Sequence, residues 1–219
     1  MGLRIPRLYA IVDAVYVRDA PISSVAEALL SAGIKLIQYR DKQASSRELY
    51  ERSQQLLECA RRAEGMLIVN DRADVARVVD ADGVHVGQED LPIDLARRVV
   101  GEGKWVGCST HNLEQVLIAD KSSADYIGFG PIFATRSKDR PDPVVGLQGL
   151  QEARRATSKP LVAIGGITRA NARAVIEAGA DSIAVIQDLL QAPDVSARAR
   201  EFLRILSDLK NPARFDVES

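Results

Sequence analysis

Short apolar segments of high β-propensity alternate with longer amphipathic segments along the chain, and this alternation restricts the fold more than any other feature. Each apolar run is hydrophobic at successive positions, which is typical of strands buried on both faces of a parallel sheet. The runs are LYAIVD (8–13), KLIQYR (35–40), LIVND (67–71), GVHVG (83–87), WVGCS (105–109), YIGFG (126–130), LVAIGG (161–166) and SIAVI (182–186).

The segments between these runs have helical periodicity, and several end in a glycine that suits a helix C-terminus. These glycines are Gly33, Gly65, Gly101 and Gly179. Eight strand–helix units without a change in composition predict an α/β fold, a single (β/α)8 TIM barrel. We expect one domain over residues 1–219, with the barrel core at about 8–210. A doubly wound sheet is the alternative, because the pattern does not reveal closure.

Composition excludes several classes of protein. The 219 residues carry 29 basic and 30 acidic side chains, a balance that argues against nucleic acid or an anionic membrane as partner. Two cysteines cannot form a disulfide framework, and no stretch is apolar for the roughly 18 residues of a membrane span. We therefore expect a soluble cytoplasmic protein. Whether copies of it associate into a homo-oligomer stays open.

Functional residues are expected at the C-terminal ends of the strands, which form one mouth of the barrel with the loops that follow them. Strand alternation places Gln38, Arg40 and Lys42 on one face at the end of the second strand. Two cations beside an amide favour a phosphate ligand. The equally weighted alternative is that both cations pair with Asp41 or with an acid of a neighbouring loop.

The next two strands end near carboxylates. Asn70 and Asp71 end the third strand, and Asp90 follows the fourth. Two carboxylates near a basic cluster suit Mg²⁺ that also binds phosphate oxygens. The alternative is that each aspartate caps the helix after it, which is common for an acid in this position.

The fifth strand leads into Ser109, Thr110 and His111. No nucleophile-elbow motif surrounds Ser109, so a hydrogen bond to a ligand or a cap for the helix from Asn112 is the better interpretation. A lone loop histidine such as His111 is more often structural than catalytic. His85, within the fourth strand, is expected to pack with its ring nitrogens satisfied.

The last three strand ends predict a second anion site. The loop from Gly130 carries hydroxyls at Thr135 and Ser137 and a cation at Lys138, and RPDPVVG (140–146) lengthens it. Gly165-Gly166 follows the seventh strand and Ile186-Gln187 the eighth, where barrels often bind phosphate through backbone amides. Two anion sites on one mouth suit two phosphorylated substrates that are joined across it.

These motifs together resemble the thiamine phosphate synthase family, from Leu8 to about Leu190. Three substitutions depart from the family pattern: Asp41 stands for a glutamate, Ser137 for a threonine and Gln187 for a serine. The matching segments are Gln38–Lys42, Asn70-Asp71, Asp90, Ser109–His111, Gly130–Lys138 and Gly165-Gly166.

The resemblance implies that hydroxymethylpyrimidine diphosphate is coupled to a thiazole phosphate, giving thiamine phosphate and diphosphate through a pyrimidine carbocation. It implies one Mg²⁺ per subunit, bound by Asp71 and Asp90, and catalytic roles for Arg40, Lys42, Ser109 and Lys138. The implied pyrimidine diphosphate site comprises Gln38, Tyr39, Arg40, Asp41, Lys42, Asn70, Ser109 and Lys138. The implied thiazole phosphate site comprises Thr135, Arg136, Ser137, Gly166, Ile186 and Gln187.

The alternative function is that of the related thiazole tautomerase, a metal-independent isomerase in which His111 would move the proton. That family tends to lack the paired aspartates, so it ranks second. A phosphate-binding barrel without catalysis would leave Asp71 and Asp90 without a role. A Schiff-base aldolase needs a lysine within a barrel strand, and the sixth and seventh strands contain none.

Overall fold

The computed structural model describes residues 4–17, 20–135 and 142–209. Within these ranges the strands are β1 (Leu8–Asp13), β2 (Leu36–Arg40), β3 (Met66–Asn70), β4 (Gly83–Val86), β5 (Trp105–Thr110), β6 (Tyr126–Phe129), β7 (Leu161–Ile164) and β8 (Ser182–Val185). The helices are α1 (Ile22–Ser31), α2 (Ser46–Arg62), α3 (Ala73–Val79), α4 (Ile93–Val100), α5 (Leu113–Lys121), α6 (Gly146–Ala156), α7 (Ala172–Glu177), α8 (Gln187–Leu190) and α9 (Val195–Ser207). A short 3-10 turn, Ala14–Tyr16, follows β1.

The strands pair in parallel in chain order, and β8 pairs with β1, so the sheet closes into a barrel. At the closure Leu8 lies beside Ile183, and Tyr9 lies beside Ala184. The TIM barrel is therefore confirmed, and the doubly wound alternative is wrong. The strand ends differ from those predicted by at most two residues.

Two apolar layers explain why the runs are hydrophobic on both faces. Residues that point outward pack between the sheet and the helices, as Leu8, Tyr39 and Val69 do. Residues that point inward fill the barrel itself: Tyr9, Ile11, Leu36, Ile68, Tyr126, Val162 and Ala184. Side-chain alternation along each strand thus divides one apolar run between two cores.

One predicted helix end differs. The left-handed conformation after α2 is adopted by Glu64, with φ of 51°, and not by Gly65. The Gly65 N–H donates to the Ala60 carbonyl at 2.8 Å, so the glycine occupies the second position after the cap. After α1, α4 and α7, by contrast, Gly33, Gly101 and Gly179 have the predicted positive φ.

Aspartate side chains link neighbouring strands by hydrogen bonds at the N-terminal end of the barrel, opposite the mouth. Asp82, Asp125 and Asp181 immediately precede β4, β6 and β8, and each carboxylate accepts an N–H from the strand before it. The donor–acceptor distances are 2.7–2.8 Å. Arg97 pairs with Asp125, and Arg154 pairs with Asp181. Features at this end of a barrel typically serve stability.

We expect Asp181→Ala to lower the free energy of unfolding by about 2 kcal/mol, because a charge-assisted hydrogen bond and the partner of Arg154 are lost together. The kcat should not change, since this end of the barrel lies away from the mouth. Urea unfolding compares the variant with Asp208→Ala, an exposed carboxylate whose removal should cost less than about 0.5 kcal/mol. Equal urea midpoints for the two variants would show that the Asp181 side chain does not stabilise the barrel.

Candidate active site

β1 and β2 bring a buried ion pair to the mouth. Asp13 and Arg40 are paired in the register of these strands, and the Arg40 guanidinium donates to the Asp13 carboxylate. The Asp13 side chain is only 1% exposed, and its other oxygen accepts from the Val15 N–H at 3.0 Å. The carboxylate therefore fixes the guanidinium, whose planar set of donors can bind a phosphate as well. Sequence reasoning missed Asp13, although an acid at a strand end was the signal.

Lys42 lies beside the two carboxylates predicted to bind metal. Its Nζ is 2.7 Å from Asp71 Oδ2. Burial raises the pKa of the Asp90 carboxyl above its ordinary value, and a hydrogen bond with the Asp71 carboxyl adds to the increase. The two carboxylates are thus neighbours. Neither caps a helix, because the side chains that precede α3 and α4 belong to Arg72 and Pro92 and make no capping bond.

This donor set fits Mg²⁺. Asp71 has φ of 63°, a left-handed conformation that costs energy and is concentrated at functional sites. The N–H of Gly87 holds Asp90 Oδ2 at 2.7 Å. In the described ranges, no group of three or more metal-binding side chains occurs. Mg²⁺ is typically bound by one or two carboxylates, with waters and substrate phosphates completing its shell.

Both cations of the β2 end are thus ion-paired with acids of neighbouring strands, and neither pairs with Asp41. The Asp41 carboxylate faces away from the mouth, where it accepts from Arg52 at 2.7 Å and from the Tyr39 hydroxyl at 3.2 Å. Its other oxygen accepts two backbone N–H groups of the loop. Burial raises the pKa of Tyr39 to about 12. Tyr39 and Asp41 therefore shape the loop of Lys42, and their side chains do not line the mouth.

Inward-facing polar groups lie on the neighbouring strands. Asn70 is two residues after the interior residue Ile68, so it points into the barrel at the mouth. Ser109 contacts His85, with 2.9 Å between Oγ and Nε2. No sequence motif indicated that a histidine ring nitrogen would lie next to Ser109. The predicted helix cap is made by Asn112 instead, whose side chain accepts from the Gln115 N–H.

His111 contacts the loop after β6 through both of its ring nitrogens. Its Nδ1 donates to the Gly130 carbonyl at 2.6 Å, and its Nε2 lies 3.4 Å from Asp142. Both ring nitrogens are thus engaged within the protein, which disfavours the proton-moving role of the tautomerase alternative. Thr135 is the last described residue before the gap in this loop. Three predicted residues, Arg136, Ser137 and Lys138, lie outside the described residues.

The glycines after β7 pack against the same loop. Gly165 and Gly166 have φ of 98° and 62°. A Cβ on Gly166 would lie 2.6 Å from the Ala134 carbonyl oxygen and 2.7 Å from Phe133 Cβ. The Phe133 N–H donates to the Gly165 carbonyl at 3.0 Å. A side chain at Gly166 would therefore meet this loop, which adds a second reason for glycine to the predicted approach of a phosphate.

The β8 end joins the β1 end across the closure of the barrel. Gln187 begins α8, and its Nε2 donates to the Tyr16 hydroxyl at 2.8 Å. Ile186 packs against the residues of the barrel interior. Gln187, one of the three residues that depart from the family pattern, thus has a partner within this chain.

None of the helices formed by the described residues is long and apolar enough to cross a membrane.

Known proteins of similar sequence point to one family. A family model described as thiamine monophosphate synthase matches residues 8–189. The thiamine-phosphate synthase of Koribacter versatilis is 54% identical over 94% of this chain and 98% of its own length. That of Chloroflexus aurantiacus is 49% identical over 92% of this chain and 93% of its own.

A solved structure is similar as well. Thiamine phosphate pyrophosphorylase from Pyrococcus furiosus superposes with a TM-score of 0.84 at 38% identity, covering 92% of this chain and 96% of that one. The match therefore extends over the whole barrel, including the strand ends that form the mouth. On these grounds the chain belongs to the thiamine monophosphate synthase family.

Proposed function

We propose that this chain is a transferase that couples hydroxymethylpyrimidine diphosphate to hydroxyethylthiazole phosphate and releases thiamine phosphate and diphosphate. From the carboxylated form of the thiazole phosphate, the carboxylate is released as CO2 in addition. One observation carries the proposal. Arg40, Lys42, Asp71 and Asp90 converge at the barrel mouth of a chain that is 54% identical to a thiamine-phosphate synthase. Two cations and two carboxylates suit a substrate diphosphate with a divalent cation.

The pyrimidine diphosphate lies, in this proposal, across the ends of β2 to β5. Gln38, Asn70 and Ser109 contact it from the barrel interior, while Tyr39 and Asp41 shape the adjoining loop. Arg40, Lys42 and Lys138 bind the diphosphate. Asp71 and Asp90 hold Mg²⁺, which supplies positive charge next to the leaving diphosphate when it is bound. The thiazole phosphate occupies the opposite half of the mouth, against Thr135, Arg136, Ser137, Gly166, Ile186 and Gln187.

The chemistry needs no protein nucleophile. The bond between the pyrimidine methylene carbon and the diphosphate oxygen breaks, and the oxygen keeps the electron pair. The thiazole nitrogen then donates its lone pair to the methylene carbon. Arg40, Lys42 and Lys138 stabilise the negative charge that grows on the leaving group, and Asp13 holds Arg40 in place. Ser109 contributes a hydrogen bond and no covalent step.

The direct test is incubation of the purified protein with both phosphorylated precursors, with and without Mg²⁺. Thiamine phosphate and diphosphate are expected in equal amounts, and only in the presence of the metal. No product with Mg²⁺ would overturn the proposal. Conversion of a thiazole phosphate tautomer without the pyrimidine substrate would instead support the isomerase.

A cytoplasmic location is part of the same proposal. Cys59 and Cys108 are both free and buried, which suits a reducing compartment. The near-neutral charge of the chain suits small phosphorylated substrates and no nucleic acid.

We expect Gln187→Ser, which restores the residue usual in the family, to change the KM for the thiazole phosphate by no more than about tenfold. A neutral hydrogen bond, here the one to Tyr16, contributes about 0.5–1.5 kcal/mol. Steady-state kinetics at saturating pyrimidine diphosphate measures the change, with Tyr16→Phe as the matched loss of the same bond. Abolished turnover in Gln187→Ser would show that its side chain binds the phosphate directly.

A further inference from the structure

A continuous chain of hydrogen bonds crosses the barrel interior beneath the mouth. It starts at Gln38, whose Nε2 is 2.7 Å from the Tyr9 hydroxyl, and Tyr9 is 3.0 Å from the Tyr126 hydroxyl. Tyr126 is 3.1 Å from His85 Nδ1, and His85 Nε2 is 2.9 Å from Ser109 Oγ. We call these five residues the interior relay. Its two ends, Gln38 and Ser109, are both residues of the proposed pyrimidine site.

The strands make room for this relay by omitting side chains. A Cβ on Gly107 of β5 would lie 2.4 Å from the Tyr126 hydroxyl oxygen and 2.5 Å from His85 Nδ1. A Cβ on Gly128 of β6 would lie 3.1 Å from His85 Cε1. Glycine weakens a strand interior and often marks a close approach. These two glycines therefore accommodate the contact between Tyr126 and His85.

Burial of the polar side chains of the relay carries a large desolvation penalty. Tyr9 and Tyr126 are at most 1% exposed, and Gln38 is 3% exposed, in a region that TIM barrels usually fill with branched aliphatic residues. Burial raises the pKa of both tyrosines well above the ordinary value, so both hydroxyls stay protonated. Buried polar groups stabilise a structure only when all of them are paired. Aliphatic residues would fill the same space without the free-energy cost of desolvating polar groups, so stability alone does not account for the relay.

With the Gln38 amide oriented so that Nε2 donates to Tyr9, one direction of hydrogen bonds gives every hydroxyl in the relay an acceptor. The Tyr9 hydroxyl accepts from Gln38 Nε2, so its single hydrogen goes to Tyr126. The Tyr126 hydrogen then goes to His85 Nδ1. An imidazole that accepts at Nδ1 carries its proton on Nε2, which here faces Ser109 Oγ. Ser109 Oγ then acts as an acceptor toward His85, and its own hydroxyl hydrogen is available to donate to a ligand. Turning the Gln38 amide over would reverse every bond in the relay.

We propose that Tyr9, Tyr126 and His85 are positioning residues that couple the hydrogen-bonding polarity of Gln38 to that of Ser109. In the direction derived above, Gln38 presents an acceptor, Oε1, to the mouth, and Ser109 presents a donor. An aminopyrimidine carries an amino donor and ring-nitrogen acceptors, so the relay selects one orientation of that ring. The choice of this ligand rests on the proposed function, whereas the coupling itself does not.

The kinetic test breaks the relay in its middle. Tyr126→Phe is expected to raise the KM for the pyrimidine diphosphate about tenfold and to change the KM for the thiazole phosphate less than twofold. If the two residues are coupled, the increase in the KM for the pyrimidine diphosphate caused by Ser109→Ala should be at least about threefold smaller in the Tyr126→Phe background than in the wild type. At independent sites the two increases would simply multiply. Tyr50→Phe, which removes the hydroxyl of a partly buried tyrosine on α2, outside the barrel interior, should change neither KM.

Two outcomes would overturn the proposal. Equal changes in both KM values would indicate a general loss of structure, and multiplicative effects of Tyr126→Phe and Ser109→Ala would indicate independent residues. If Tyr126→Phe does not fold, Tyr9→Phe interrupts the same relay one bond earlier. The same changes in the two KM values, and the same dependence on Ser109→Ala, are then expected for Tyr9→Phe.

A second measurement does not depend on catalysis. The ¹⁵N NMR shifts of His85 report which ring nitrogen carries the proton in the free protein. We expect the Nε2–H tautomer in the wild type and a mixture of tautomers in Gln38→Met, although Gln38 does not touch the ring. An unchanged tautomer in Gln38→Met would overturn the coupling even if the enzyme is active. An inactive wild type with the expected shift would overturn only the proposed function.

Discussion

Asp71→Asn and Asp90→Asn are each expected to lower kcat/KM for coupling by about 10²-fold or more. A bound divalent cation contributes several kcal/mol of charge stabilisation, and each 1.36 kcal/mol corresponds to a factor of ten. Asparagine keeps the shape of the side chain but removes the anionic oxygen that Mg²⁺ prefers. The two carboxylates are neighbours, and Lys42 pairs with Asp71 at 2.7 Å, so the loss of either acid leaves an incomplete site.

A titration of activity against Mg²⁺ separates metal binding from other effects. Both variants should need a higher Mg²⁺ concentration for half-maximal activity than the wild type. Asp80→Asn, which changes an exposed carboxylate at the N-terminal end of the barrel, is the matched control and should behave as the wild type does. Full activity of the wild type in excess chelator, or of both asparagine variants, would contradict the metal assignment.

The sequence predicted the barrel and the position of its mouth well, for a simple physical reason. Short runs that are apolar on both faces leave few arrangements other than a parallel sheet covered by helices. The period of two along a strand also placed Gln38, Arg40 and Lys42 on one face, and their contacts with Tyr9, Asp13 and Asp71 agree. These inferences need only local alternation.

Partners contributed by other strands could not be predicted in the same way. Asp13 meets Arg40 because of the register of β1 on β2, and Tyr9 meets Tyr126 across the closed barrel. An apolar run does not reveal which of its residues point inward until the sheet closes. The glycines in WVGCS and YIGFG were the available signal, since glycine inside a strand marks a crowded interior position.

The Tyr39-Asp41 pair illustrates a different limit. Motif similarity groups five consecutive residues, Gln38–Lys42, as one binding segment, but alternation turns Tyr39 outward, and Asp41 is held by Arg52 on α2. A motif therefore records both contacts with a ligand and the packing that supports them.

We expect Gly166→Val to lower kcat/KM for the thiazole phosphate by about 10²-fold or more, far beyond the effect of Gln187→Ser. Two physical costs add at this position. A β-branched residue is strongly disfavoured at the φ of 62° that Gly166 adopts. Its Cβ would also lie within 2.7 Å of both Phe133 Cβ and the Ala134 oxygen, so the loop that carries Thr135 has to move.

Gly101→Val separates these two costs. Gly101 has φ of 89°, but a Cβ there meets nothing within 4 Å, and the residue follows α4 at the far end of the barrel. Both variants should lose thermal stability through backbone strain, whereas only Gly166→Val should lose affinity for the thiazole phosphate. Comparable loss of activity in the two would mean that strain alone is responsible. Normal kinetics in Gly166→Val would mean that the thiazole phosphate is held without this loop, and the proposed second anion site would then lie elsewhere on the mouth.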